Sequence, residues 1–307
     1  MRFITLAFIL VFAPFLFPGL IQKVKALWAG RKGAPVAQPL WDFLKLIRKG
    51  VVISRATSPV FRLAPPVILA CVVFAALVVP APQQNALLAF PADFVLFAYS
   101  LGLAKFMLIL LALDTGSPFE GMGASREAAF STIVEPAFFL LMGSLALVTG
   151  RTSFEGVFAL LNYSSGYTVL VKSLCVITLF IMLLTEGSRV PVDDPNTHLE
   201  LTMIHEVMIL DSSGPDLAAL QYAAGLKMVL IATLLANLLV PSGMAGWAAA
   251  LMTLGVLALC AAAVGLVESF IARARMSHVP QFIFLMMALS VTAFAVVMFF
   301  LHGGAHV

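Results

Sequence analysis

Eight apolar blocks run through this chain, at 3–21, 64–80, 94–113, 134–148, 169–184, 223–240, 244–267 and 282–301. A helix crosses the hydrocarbon core of a bilayer in about 20 residues, with every backbone N–H and C=O satisfied inside the segment. The blocks meet or approach that length, the fourth and fifth being short. Of 307 residues, 62% are hydrophobic and 11% charged, where soluble domains have roughly 45–50% apolar and about 25% charged residues. A soluble fold of this size leaves roughly a quarter of its chain surface in water, and this chain has too few polar residues to cover it. An outer-membrane barrel alternates apolar and polar residues; these blocks do not. The pattern predicts an all-α, polytopic membrane protein, a single integral membrane domain over 1–307 with about eight transmembrane helices.

The first block follows Arg2, as a signal peptide would. It is long, however, contains Pro14 and Pro18, and is followed by Lys23, Lys25, Arg31 and Lys32. Positive charge after an apolar run holds that end in the cytoplasm, which favours a retained span. Nine cations crowd the segment 22–63: those four with Lys45, Arg48, Lys49, Arg55 and Arg62. Arg126, Arg189, Arg273 and Arg275 fall on the same side, and Arg2 and Arg151 on the other. The positive-inside rule then makes both long segments cytoplasmic and places both termini outside. The net charge of +3 reflects this topology, so no nucleic-acid partner is expected.

Two connecting segments, 22–63 and 185–222, are much longer than the rest. Within the first, VAQPLWDFLKLIRKG (36–50) repeats Leu40, Phe43, Leu44 and Ile47 on one helical face and Asp42, Lys45, Arg48 and Lys49 on the other. This predicts an amphipathic helix at the cytoplasmic interface with Trp41 at headgroup depth. It is either a simple anchor or a lateral helix that also seats a soluble partner through Trp41, Lys45 and Arg48. The second segment holds Glu186, Asp193, Asp194, Glu200, Glu206, Asp211 and Asp216 against Arg189 alone, with a helix expected over 197–210. Two functions fit, an electrostatic dock for a soluble subunit or a dock combined with a carboxylate chain that takes up protons.

Charges at membrane depth are costly, at least roughly 2.5–3.5 kcal/mol at a span centre, and they usually face the protein interior. Lys105 lies near the middle of the third block, which points to a function or a buried ion pair. Lys172 and Lys227 lie closer to block ends, where snorkelling explains them. Glu135 opens the fourth block, while Asp114, Glu186 and Glu268 close the third, fifth and seventh at the same face. Carboxylates at one depth on four spans predict a buried polar funnel, in which like charges bring proton exchange near neutrality within reach. His198 and His205, seven apart, suit a hydrogen-bonded or proton-relaying pair better than a metal site. Cys71, Cys175 and Cys260 stand singly in three blocks, without the clustering that zinc or iron–sulfur sites need, so no redox cofactor is expected in this chain.

The stretch EGSRVPVDDPNTHLELTMIHEVMILDSSGPDLAAL, from Glu186, closely resembles the signature of the membrane subunit of formate hydrogenlyase and hydrogenase-4 type complexes. That subunit is in turn similar to subunit 1 of respiratory complex I, the quinone-site membrane subunit. The resemblance covers nearly the whole chain, including QPLWDFLKLIRKG in the basic segment and ASREAAFSTIVEP ahead of the fourth block. It implies a subunit that couples redox energy to proton or sodium movement in the inner membrane of a prokaryote. Its partners would be hydrogenase large and small subunits and a ferredoxin-like iron–sulfur protein, carrying the nickel–iron centre and iron–sulfur clusters, and antiporter-like membrane subunits. Glu135 matches the glutamate of the family's fourth-span motif. Arg189, Pro191 and Asp193 match the start of the acidic-loop motif, and Glu200 and Glu206 match acids within it. Proton relay would then fall to Glu135, Lys105, Asp114, Glu186, Asp193, Asp194, Glu200, Glu206 and Glu268. Docking would fall to Arg189, Pro191, His198, His205, Trp41, Lys45 and Arg48. Complex I subunit 1 carries a Phe-Asp-Leu and Glu-rich loop where this chain reads Val192, Asp193, Asp194, Pro195, Asn196, Thr197, His198, which favours the hydrogenase branch.

Overall fold

The computed structural model describes residues 2–161, 166–193, 203–241, 243–271 and 274–303. Among these, the regular structure is helical without strands. The helices are α1 (Arg2–Val11), α2 (Ala13–Trp28), α3 (Gln38–Ile47), α4 (Pro59–Val78), α5 (Asp93–Asp114), α6 (Pro118–Thr149), α7 (Phe154–Leu160), α8 (Gly166–Glu186), α9 (His205–Met208), α10 (Gly214–Leu239), α11 (Gly246–Phe270) and α12 (Val279–Gly303). Seven of them, α4, α5, α6, α8, α10, α11 and α12, are each long and apolar enough to cross a membrane, and the bent pair α1–α2 raises the number to eight.

The first apolar block is therefore a bent pair of helices. It bends by 56° between α1 and α2, just ahead of Pro14, whose ring and missing N–H disfavour an unbroken helical ladder. The fourth block, read as 134–148, belongs to the 32-residue α6. The sequence boundary fell at the charged run Arg126, Glu127 and Glu135, although those groups turn inward and leave the helix intact. At about 1.5 Å per residue α6 outruns a hydrocarbon layer of about 30 Å by several turns. Proline in the first turn, where its missing N–H costs nothing, opens α2, α3, α4, α6 and α10.

The bundle is built round α10. Of its most apolar stretch 83% is buried, against 28% to 44% for the other spans, and it packs on α2, α3, α4, α8 and α11. Around it α5 pairs with α4 and α6, α12 lies on α6 and α8, and α11 lies on α2. The approach of α10 to α2 is close enough that a Cβ on Gly225 would lie 2.4 Å from the Pro14 carbonyl oxygen.

The two long segments meet at one end of the bundle. Val52 N–H donates to Ser213 Oγ (2.9 Å) and Ser213 Oγ donates back to the Val52 carbonyl (3.0 Å). Helix α3 is bound by its aromatic side: the Phe43 ring lies 5.0 Å from Phe15 and 5.9 Å from Tyr222. The anticipated apolar stripe is thus divided, since Leu44, Ile47 and Trp41 stay exposed. The helix expected over 197–210 reduces, among the described residues, to the four-residue α9, and the last part of segment 185–222 is already α10. The opposite end is closed by Gln83 donating to the Pro241 carbonyl (2.5 Å), Asn237 donating to the Pro80 carbonyl (2.8 Å), and a Thr5–Gln84 hydrogen bond.

Candidate functional site

Two ion-pair clusters lie beneath the acidic segment, each centred on one carboxylate shared by two cations. Glu186, the last residue of α8, meets Lys105 Nζ of α5 at 2.5 Å and Lys227 Nζ of α10 at 3.2 Å. All three residues are buried. Glu268, near the end of α11, meets Lys25 of α2 at 2.8 Å and Arg189 at 3.5 Å. Buried charges are tolerated when paired in this way, and removing one partner leaves an uncompensated charge behind.

Lys227 is not a snorkelling lysine. The helix begins at Gly214, not at 223, so Lys227 stands mid-helix on the most enclosed span, 8% exposed and turned onto Glu186. The polar residues Asp216 and Gln221 concealed the true start of the helix. Four carboxylates at one face do not form a single funnel of like charges either. Glu186 and Glu268 each face two cations, and Asp114 is occupied elsewhere: its Oδ2 accepts from Ser58 N–H (2.8 Å) and Phe61 N–H (3.2 Å) at the start of α4. Asp114→Ala should therefore cost about 1 kcal/mol, the usual effect of losing a helix cap; a thermal melt checks this, and unchanged stability would contradict it.

Helix α6 brings a line of oxygens to the Glu186 cluster. Glu120, Glu127, Ser131 and Glu135 fall on one side of its surface, within about 80° by helical periodicity. Glu120, 1% exposed, accepts from Asp211 N–H at 3.2 Å. Glu127 and Ser131 line a void of about 10 Å³ together with Lys105, Glu186 and Ser188. Glu135 lies against Gly102 of α5, its Oε1 3.5 Å from where a Cβ on that glycine would stand. Sequence reasoning selected Glu135 but passed over Glu120, Glu127, Lys25 and Lys227. The spacing of the acids on α6 was the available signal, hidden because the span was begun at Val134.

Between the two clusters run Arg189, Pro191 and Asp193. The Pro191 carbonyl accepts from Ala274 N–H (3.2 Å). Asp193, 1% exposed, accepts from Ile204 N–H (2.9 Å) and His205 N–H (3.2 Å), fixing the start of α9. Asp194, His198 and Glu200 lie outside the described residues. Glu206 and His205 line a cavity of about 260 Å³ with Arg189, Phe15, Phe43 and Tyr222, bounded by the bent first span, α3 and α10. Trp41 and Lys45 are exposed on α3, and Arg48 is exposed just past its end. Among the described residues no three of His, Cys, Asp and Glu converge as a metal site.

The imidazole of His205 is pushed down to about 3, first by burial and then by the Lys227 ammonium, with Arg189 adding to the effect and Glu186 opposing it. It is neutral near pH 7. Between pH about 6.5 and about 3 the unfolded chain binds a proton that the folded chain refuses, so stability falls as the pH drops, by up to about 1.4 kcal/mol per unit. His205→Gln should flatten that acid limb in melts recorded from pH 7.5 downward. An acid limb as steep as that of the parent chain would contradict this assignment.

A family model described as NADH dehydrogenase matches residues 1–300. Hydrogenase-4 component C of Escherichia coli (strain K12) is 33% identical over 242 residues, 78% of this chain and 75% of that protein. Formate hydrogenlyase subunit 4 of the same organism is 28% identical over 232 residues, 74% and 73% of the two chains. NADH-ubiquinone oxidoreductase chain 1 of Petunia hybrida is 30% identical over 188 residues, 58% and 57%. Among solved structures, a chain of the membrane-bound sulfane sulfur reductase, an archaeal respiratory membrane complex, superposes with a TM-score of 0.82 at 18% identity. The match covers 96% of this chain and 99% of that one, so the two share a fold.

Proposed function

The chain belongs to the NADH dehydrogenase family, the family of complex I subunit 1, and from that premise we propose that it is the membrane-anchoring and coupling subunit of a group 4 nickel–iron hydrogenase complex of the formate hydrogenlyase type. In this reading it lies in the inner membrane of a prokaryote, with both termini outside and both long segments cytoplasmic. The exposed side of α3 and the acidic segment dock the soluble hydrogenase subunits and their iron–sulfur protein. The face carrying Glu135 leads toward the antiporter-like membrane subunits.

The observation that carries the reading is the sharing of Glu186 between Lys105 and Lys227, directly beneath the segment that would face the soluble arm. In a low-dielectric interior a charge cannot move without a compensating change nearby. A charge change in the 187–213 segment therefore alters how Glu186 divides its field between the two ammonium groups. Lys105 lies within a turn of Gly102, against which Glu135 rests, so the change reaches the carboxylate deepest on the α6 stripe. Glu135→Gln should lower proton- or sodium-coupled turnover by about a hundredfold or more, the scale of losing a positioned proton-transfer group, while the complex still assembles. Unchanged coupling in that variant would remove Glu135 from the path.

A second reading, a quinone-site subunit, is favoured by the cavity of about 260 Å³ beside Arg189 and His205. Affinity purification of the tagged chain from a mild detergent separates the possibilities. Co-elution of a nickel–iron large subunit with hydrogenase activity is expected. Co-elution of quinone-reductase activity would establish the second reading, and an isolated chain with ion-transport activity would overturn both in favour of an independent transporter.

A further inference from the structure

The outer side of the bent span forms a groove with α11. Leu16, Phe17 and Leu20 of α2 and Leu257 and Ala261 of α11 line a space of about 260 Å³ that begins at Phe8 and ends at Val36. Its lining includes no charged side chain. Leu254 and Ala258 leave one flank exposed, so the groove opens sideways, where a span meets lipid.

The chain itself closes one end. After α2 the backbone turns, with Arg31 N–H donating to the Ala26 carbonyl at 2.8 Å, and runs back along the helix. A Cβ on Gly33 would lie 2.3 Å from the Ala26 Cβ, and one on Gly19 would lie 1.9 Å from the Val36 carbonyl oxygen. This return strap carries Arg31 and Lys32 back alongside the last turns of α2 before Val36 reaches the groove. Lys23 continues the stripe of Leu16 and Leu20 by one turn, and its Nζ lies 2.7 Å from the Lys32 carbonyl oxygen. Lys25, on another face of α2, is committed to Glu268. Lys23, Arg31 and Lys32 form no ion pair with a carboxylate among the described residues. Past the Val36 end of the apolar slot, the last turns of α2 and the strap thus carry three cations on the side read as cytoplasmic.

We propose that this groove binds an anionic phospholipid, with one acyl chain in the slot and the phosphate held by Lys23, Arg31 and Lys32. A helix from a partner subunit suits the slot less well. Close helix packing in membranes relies on small residues along both faces, whereas bulky Leu16, Phe17, Leu20 and Leu257 leave a narrow channel. The cations supply electrostatic attraction to an anionic headgroup.

Native mass spectrometry of the full chain, released in mild detergent and titrated with phosphatidylglycerol or with phosphatidylcholine of identical acyl chains, tests this. One phosphatidylglycerol should survive activation that strips phosphatidylcholine. Lys23→Gln with Lys32→Gln should reduce that preference by about thirtyfold, the effect of removing two cations at a charged lipid surface. Ala258→Trp, which fills the slot from its exposed flank, should abolish retention. If the tryptophan variant does not fold, the preference measured in the double glutamine variant decides alone. Equal retention of the two lipids, or a preference unaffected by the glutamine substitutions, overturns the proposal. So does a photocrosslinker at Leu254 that captures a partner polypeptide in place of lipid.

Discussion

Glu186→Gln is expected to abolish coupled ion movement in the assembled complex and to destabilise the subunit by about 3–5 kcal/mol, the cost of breaking a buried ion pair from one side. The reason is arithmetic of charge. Glu186 is the ion-pair partner of both Lys105 and Lys227, so its neutralisation leaves two ammonium groups facing each other in a buried space. The amide keeps the shape and can accept hydrogen bonds, so the loss measures charge and not volume. Adding Lys105→Met to Glu186→Gln removes the surplus cation and should recover at least half of the lost stability without recovering coupling. Melting in detergent and proton-translocation assays read the two effects separately. A Glu186→Gln chain with parental stability would show that the lysines find other partners.

Gly225→Ala is expected to have a comparable effect on stability for a different reason. A Cβ at Gly225 would lie 2.4 Å from the Pro14 carbonyl oxygen and 3.2 Å from its carbon. Both neighbours are backbone, so no rotamer change relieves the contact, and α2 must move off α10. Overpacking of this kind typically costs about 1–3 kcal/mol, and here it also separates Phe15 and Tyr222, which hold α3. Gly255→Ala in α11 is the internal control: nothing lies within 4 Å of its added Cβ, and replacing a helical glycine should gain roughly 0.5–1 kcal/mol. Melting temperatures of the two variants should therefore move in opposite directions. Equal shifts would disprove the close approach.

The spans were legible from the sequence because bilayer depth sets a length that unbroken apolar blocks reveal directly. The bend in the first span was not, since Pro14 and Pro18 sit within an apolar run that reads as continuous. Helix α6 was read short because its charged turns resemble a loop until α9 and α5 are known to cover them. The acids at block ends were found by position, but their partners were not. Glu186 finds Lys105 across 81 residues and Glu268 finds Arg189 across 79, distances over which spacing carries no information. Lys227 was misjudged through a helix start set at Ala223, and Lys25 was lost among the cations that orient the first loop. The splitting of α3 into a bound side with Phe43 and an open side with Trp41, Leu44 and Ile47 depends on where α10 runs, which no local pattern encodes.

The pairing of Lys105 with Glu186 also fixes an order of events at the ribosome. Helix α5 leaves the tunnel with a lysine near its centre, and the carboxylate that neutralises it is made 81 residues later. Glu127 of α6, which lines the same void as Lys105, is made in between, so a lysine that alone would carry an insertion penalty of roughly 2.5–3.5 kcal/mol has a carboxylate within reach before α8 arrives. The arrival of α8 then supplies Glu186, and α10 adds Lys227 last. The shared-carboxylate cluster is thus completed from the fifth and sixth spans only after the third and fourth have been made.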